Sequence, residues 1–303
     1  MIPERGGWPE KMNSFIVKLN EKKPLAVLLA GIYFAAVSLP HKEVSKIFDW
    51  LSRELSFGVY NDALFRVNLF LAVVFVAFVL LRIRSGNRRA LTITYWLFTA
   101  FLVGASYEIL IVFNVESIHF PQYAVLALLV FPLVMRYGDT VFWCTLLGAL
   151  DEGYQYFVLY RDNNEVYFDF NDILLNLVGA GIGVLILFTL TDARSKPCTA
   201  HTNSSLNRSR SPVIVTTAFL LFTGLLFYMS GLLPLYPEAG ASSASITLSR
   251  KPVATSFWTE PKRGKAFHIL NPLEGIVSAT ALIGCYASMD RCFAKRPGRE
   301  TDG

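Results

Sequence analysis

His119, Asp151, Glu152, Gln155, Arg161, Asp169, Asp172 and Asn176 lie in a stretch of chain otherwise apolar enough to cross a membrane three times. Hydrocarbon penalises a charged side chain at its centre by about 2.5–3.5 kcal/mol on insertion scales, so their retention points to a use. His119, Asp151 and Glu152 are the candidate catalytic residues. A histidine able to titrate near neutral pH, an adjacent Asp-Glu pair whose burial would push the two acids apart, and an arginine for an anionic transition state are what general acid/base work requires. The same set also suits recognition without chemistry. Arg161 would then hold a phosphate, and Tyr123, Gln155 and Asn176, with Asp169 and Asp172 beside them, would meet the hydroxyls of a sugar or glycerol. Glu152 is expected to lie deepest of the acids.

Helical spacing aligns these groups. His119 and Tyr123, Asp151 and Gln155, Glu152 and Tyr156, and Asp172 and Asn176 are each four residues apart and so share faces. Glu116 and Glu108 approach from the preceding segments. In Gly179, Gly181 and Gly183 the chain carries a Gly-x-x-x-Gly step (Gly179 to Gly183), which lets a neighbouring helix come close and would fix the spacing of the polar side chains above it.

The elements that must position them are membrane helices. With 53% hydrophobic and 17% charged residues and a mean hydropathy of +0.43 over 303 residues, the chain reads as an all-α, polytopic transmembrane bundle. A span takes about 20 apolar residues. About eight are expected: Pro24 to Leu39, Leu64 to Leu81, Ala90 to Phe113, His119 to Met135, Thr140 to Tyr160, Asp172 to Thr191, Pro212 to Leu233 and Pro272 to Ala287. Val44 to Leu55 reads as an amphipathic helix on the membrane surface. The first 23 residues are polar, and the first hydrophobic run reads as an anchor and not as a cleaved signal.

Lys and Arg collect on the cytoplasmic side. With the N-terminus inside, eighteen fall on inner segments, among them Arg82, Arg84, Arg88, Arg89, Arg136, Arg194 and Arg208, against nine outside. Five of those nine sit in one long external loop. Both termini are therefore expected in the cytoplasm. Cys144, Cys198, Cys285 and Cys292 fall within helices or on the inner side, which leaves no disulfide framework. The formal charge of +5 is accounted for by basic loops against anionic lipid, with no nucleic-acid partner.

The chain divides into a two-helix region over 1–89, a four-helix core over 90–191, a cytoplasmic linker over 192–211 and a two-helix region over 212–303 with an external loop, 234–271. In that loop Ile246, Leu248, Val253, Phe257 and Trp258 point to a small strand-like or surface-lying element. There is no internal repeat of the kind that builds inverted-repeat transporters. Walker A, Gly-x-Ser-x-Gly and Rossmann fingerprints are absent. One histidine among carboxylates, with no His-x-x-x-His pair, is a weak metal signature: a metal held by His119 with Asp151, Glu152 or Asp172 belongs only to the enzyme reading, and no cofactor is expected. His41, His201 and His268 read as isolated, solvated loop residues.

Three blocks resemble the VanZ-like family in its own order. They are His119-Phe-Pro-Gln-Tyr123, then Asp151-Glu152-Gly-Tyr-Gln155 with Arg161 six residues on, then Phe168-Asp169-Phe-Asn-Asp172 through Asn176 to Gly183. The resemblance covers about residues 90–191. Against the family's pattern, Asp162 to Val166 lengthens the loop, Tyr154 stands where a histidine is frequent, and Glu116 where a basic residue is. The resemblance implies a multi-pass cell-envelope protein, in the bacterial inner membrane, associated with glycopeptide resistance, and no particular reaction. The expected function is binding or handling of a lipid or glycolipid headgroup in an outward-facing polar pocket. The alternatives are an enzyme acting on a lipid-linked headgroup and a non-catalytic structural or accessory subunit. The expected partners are membrane lipid or a lipid-linked glycan, with an envelope protein at loop 234–271.

Overall fold

The computed structural model describes residues 8–83, 89–163, 165–191, 212–233, 246–250, 256–260 and 264–294. It is helical throughout the described residues, broken only by turns and two isolated β-bridges. The helices are α1 (Trp8–Glu21), α2 (Lys23–Ser38), α3 (His41–Glu54), α4 (Phe57–Ile83), α5 (Arg89–Ile109), α6 (His119–Val134), α7 (Tyr137–Tyr154), α8 (Phe170–Thr191), α9 (Pro212–Met229) and α10 (Pro272–Ala294). A 3₁₀ turn, Asn114–Ile118, leads into α6, and a π-helical turn, Gln155–Leu159, extends α7.

Four segments are long and apolar enough to cross a membrane: α4, α5, Asn114–Val134 and α8. A fifth is formed if α2 and α3, which bend by 45° at their junction, are one span. The linker over 192–211 and residues 234–245 of the long loop lie outside the described residues.

α8 is the axis of the bundle. Sixteen of its 22 residues are buried, on all sides, so it is surrounded by other helices. α5, α6, α7 and α10 pack against it, with α1 at one end. α4 is the converse: its Leu69, Phe70, Val73, Val76, Leu80 and Leu81 are exposed. A 27-residue helix is about 40 Å long, enough to cross the hydrocarbon with this apolar face against lipid. α3 has no buried residue and exposes Val44, Ile47 and Trp50.

Close approach of α6 and α8 depends on missing side chains. A Cβ on Gly179 would lie 2.8 Å from the carbonyl oxygens of His119 and Phe120, and Gly183 faces Ala124 and Ala127 one turn on. Hydrogen bonds between helices add specificity where apolar contact adds little. Trp96 Nε1 donates to Thr189 Oγ1 at 2.9 Å, Thr99 Oγ1 pairs with Tyr286 OH at 2.9 Å, and Tyr33 OH donates to the Gln122 carbonyl at 3.0 Å.

Two elements differ from expectation. The polar N-terminus contains α1, whose Ile16 and Leu19 are buried. Its apolar residues are too few for a span but sufficient to dock on α6 and α8. α10 joins the core of residues 90–191 and is not an appendage to it: Ile283, Tyr286 and Met289 pack with the buried residues of α6, α7 and α8. Asp290 accepts from the Tyr137 and Gly138 amides at 2.8 and 3.0 Å, supplying the free N–H groups at the start of α7 with a partner.

Candidate functional site

α6 and α8 begin at the end of the bundle where α7 stops, so the first turns of two helices face the last turns of a third. Each start is built locally. Glu116 turns back on its own segment, Oε2 accepting from Val112 N at 2.8 Å and Oε1 from Phe113 N at 3.3 Å, which sets the 3₁₀ turn and launches α6 at His119. Asn68 of α4 ties that turn to the bundle through Ser117 Oγ at 2.6 Å. Asp169 precedes α8 and its Oδ1 accepts from Asn171 N at 2.8 Å, as an N-cap does. Burial, with the Asp172 carboxylate nearby, pushes Asp169 up to about 7, and burial raises Tyr167, which hydrogen-bonds to it.

His119 is held from both ring nitrogens by α8. Nδ1 lies 2.8 Å from Asn176 Oδ1, and Nε2 lies 3.4 Å from Asp172 Oδ2. With an amide oxygen accepting, Nδ1 carries a proton, and the ring is fixed edge-on between an amide and a carboxylate. Asp172 and Asn176 meet one imidazole because they are one helical turn apart.

The acid pair lies on α7. Asp151 and Glu152 are each 3% exposed, and a single amide nitrogen serves both: Gln155 Nε2 is 3.3 Å from Asp151 Oδ2 and 3.1 Å from Glu152 Oε1. The π-helical turn begins at Gln155, and Tyr160 N reaches back to the Gln155 carbonyl at 2.9 Å. Such wide turns recur at functional sites because they re-aim side chains. Gly148 lets α8 close on α7 here, since a Cβ on it would come within 2.9 Å of Asn176 Nδ2.

Five buried side-chain polar atoms among the described residues lack a hydrogen-bond partner, and three belong to this cluster: Tyr123 OH, Asp151 Oδ1 and Asn176 Nδ2. Tyr123 is 1% exposed and close enough to Asp151 and Glu152 for their charges to act on it. Buried polar atoms are nearly always paired, so a concentration of exceptions on three facing helices sets this cluster apart from the rest of the bundle.

The cluster thus brings together His119, Tyr123, Asp151, Glu152, Gln155, Asp169, Asp172 and Asn176. No family model, curated protein or solved structure matches this chain. Among the described residues no three His, Cys, Asp or Glu side chains are placed to hold a metal ion.

Arg161 is not in the cluster. It is exposed on the turn after the π-helix and makes no ion pair among the described residues. Glu108 is exposed on α5, and Glu116 is committed to its own backbone.

Two histidines read as solvated loop residues are not. His41 opens α3, its ring edge-to-face with Tyr160 at 6.2 Å, and it feels the charges of Asp151, Asp172 and His119. His268 stacks on Phe257 at 4.1 Å, and its Nδ1 and Nε2 meet the Phe257 carbonyl and Glu274 at 2.8 and 3.1 Å. The arginine ordered at the end of α7 is not Arg161 but Arg250, from the long loop. Its Nη1 donates to the Tyr160 and Asn163 carbonyls at 2.8 Å, its Nη2 to the Tyr156 carbonyl at 2.6 Å, and it lies 4.3 Å over the Tyr156 ring. The strand-like reading of its segment corresponds to one bridge, Tyr167 to Ser249, with Phe168 N on the Leu248 carbonyl at 2.8 Å.

Proposed function

We propose that the chain is a multi-pass protein of a cell membrane, VanZ-like over residues 90–191, whose cluster at the start of α6 and α8 receives the headgroup of a lipid or lipid-linked glycan. In this reading the chain has about eight spans and cytoplasmic termini, the cluster opens on the external side, and the membrane is the bacterial inner membrane. The observation that carries the reading is the set of unpartnered polar atoms on Tyr123, Asp151 and Asn176, buried where three helices face one another. A purely structural network would close on itself, because each buried orphan costs about 1–3 kcal/mol. A headgroup also fits the surroundings: α4 presents an apolar face on which acyl chains can lie while the polar end reaches inward.

The test is native mass spectrometry of the full chain released from nanodiscs of mixed lipid. Wild type is expected to retain one lipid class, and Tyr123→Phe, which removes a single oxygen, to lose it with an unchanged melting temperature. Equal retention by both proteins, or none by either, would sink the proposal. Ser256→Cys, in the long loop, is expected to react with an impermeant thiol reagent on intact cells; reaction only after permeabilisation would reverse the orientation.

A further inference from the structure

The residues around the cluster bear on the charge of the group it would hold. Glu116, Asp151, Glu152, Asp169 and Asp172 bring five carboxyl groups to this end of the bundle, and the basic groups facing them are two imidazoles, His41 and His119. Among the described residues no Lys or Arg pairs with any of the five, and Arg250 is taken up by three carbonyl oxygens. A phosphate set among these acids would meet their negative charge and find a donor only on a carboxyl that is protonated, so an anionic oxygen of the ligand has to be met away from the acid pair, at Asn176 Nδ2 or Tyr123 OH.

Building on the headgroup reading, we propose that the group this cluster takes is a primary ammonium carried a few bonds from an oxygen. The three unpartnered atoms define both halves. Asp151 Oδ1 is an acceptor without a donor, beside Glu152, whose Oε1 has only the shared Gln155 amide; an ammonium brings three N–H donors and the charge that two adjacent acids lack. Asn176 Nδ2 is a donor without an acceptor, and it needs an oxygen on the same ligand. Tyr123 OH can serve either half. Water would satisfy the hydrogen bonds but bring no charge to the acid pair, which has only the imidazoles of His41 and His119 near Asp151. A quaternary ammonium brings charge and no donor, so Asp151 Oδ1 would stay unmet. The chemistry is that of an ethanolamine phospholipid headgroup or of a free amino alcohol or amino sugar.

The experiment uses the full chain in nanodiscs holding equal amounts of phosphatidylethanolamine, phosphatidylcholine and phosphatidylglycerol with identical acyl chains. Wild type is expected to retain the ethanolamine lipid about tenfold over the other two, the size of one charge-assisted hydrogen bond. Asp151→Asn is expected to abolish that preference, and Asp62→Asn, a surface acid paired with Arg66, to keep it. Preferential retention of phosphatidylglycerol or phosphatidylcholine overturns the ammonium assignment while leaving a headgroup site. If no lipid is retained the headgroup reading fails, and free ethanolamine decides the rest: a rise in melting temperature that Asp151→Asn removes keeps the ammonium site with a soluble ligand, and no rise ends it. Wild type alone decides the proposal should the variant fail to fold.

Discussion

His119 Nδ1 lies 2.8 Å from Asn176 Oδ1, joining the first turn of α6 to the second turn of α8 at the level where Asp172 meets the other side of the same ring. Asn176→Leu would leave that ring nitrogen buried without an acceptor. The expected loss is about 1–3 kcal/mol, seen as a lower melting temperature of the detergent-solubilised protein. His119→Ala combined with Asn176→Leu should lose less than the sum of the two single changes. Additivity would show that the contact does not couple the helices.

This contact was legible from spacing, since Asp172 and Asn176 share a face by helical period and His119 opens a helix at the same depth. Gly179 was legible too, as a small residue that admits a neighbouring helix, and the neighbour is α6. His41 and Arg250 were not. Each meets the cluster or the end of α7 through segments about 90 or more residues away in the chain, and no local pattern encodes such a pairing. α1 escaped because hydropathy registers spans, and a helix docked by Ile16 and Leu19 leaves only a two-residue trace.

The assignment of Arg250 and Arg161 separates by mutation. Arg250→Ala removes three donated hydrogen bonds and a ring contact at the end of the π-helical turn, so the melting temperature should fall and proteolysis in the 246–250 segment should rise. Arg161→Ala, at an exposed position, should stay within about 0.5 kcal/mol of wild type. The reverse order would put Arg161 back at the centre of the site.

Asp169 links stability to pH. Its folded value of about 7 lies above its ordinary value of 3.8, because burial and the Asp172 carboxylate disfavour the charge. The folded state therefore binds more protons than the unfolded chain between those values, and stability from this group falls as pH rises from about 4 to about 7. Asp169→Asn keeps the shape and removes the charge. Relative to wild type it should be more stable at pH 8 than at pH 5.5, by thermal unfolding at matched ionic strength. An equal difference at both pH values would mean that Asp169 does not change its ionisation across that window.

Glu152→Gln distinguishes a carboxylate that merely suffers burial from one that is used. Glu152 is 3% exposed, and among the described residues its side-chain hydrogen bond is the one from Gln155 Nε2 to Oε1. A glutamine carbonyl in the same place accepts that bond equally well, and the substitution relieves the like-charge neighbour Asp151, so the fold should be as stable as wild type or more so. If the acid pair exists to hold a cationic group, retention of that group should drop about tenfold while the melting temperature holds or rises. The two readouts move in opposite directions only if the charge serves binding. A parallel fall in both would make Glu152 a structural acid, and a rise in stability with retention unchanged would leave Asp151 as the carboxylate that meets the ligand.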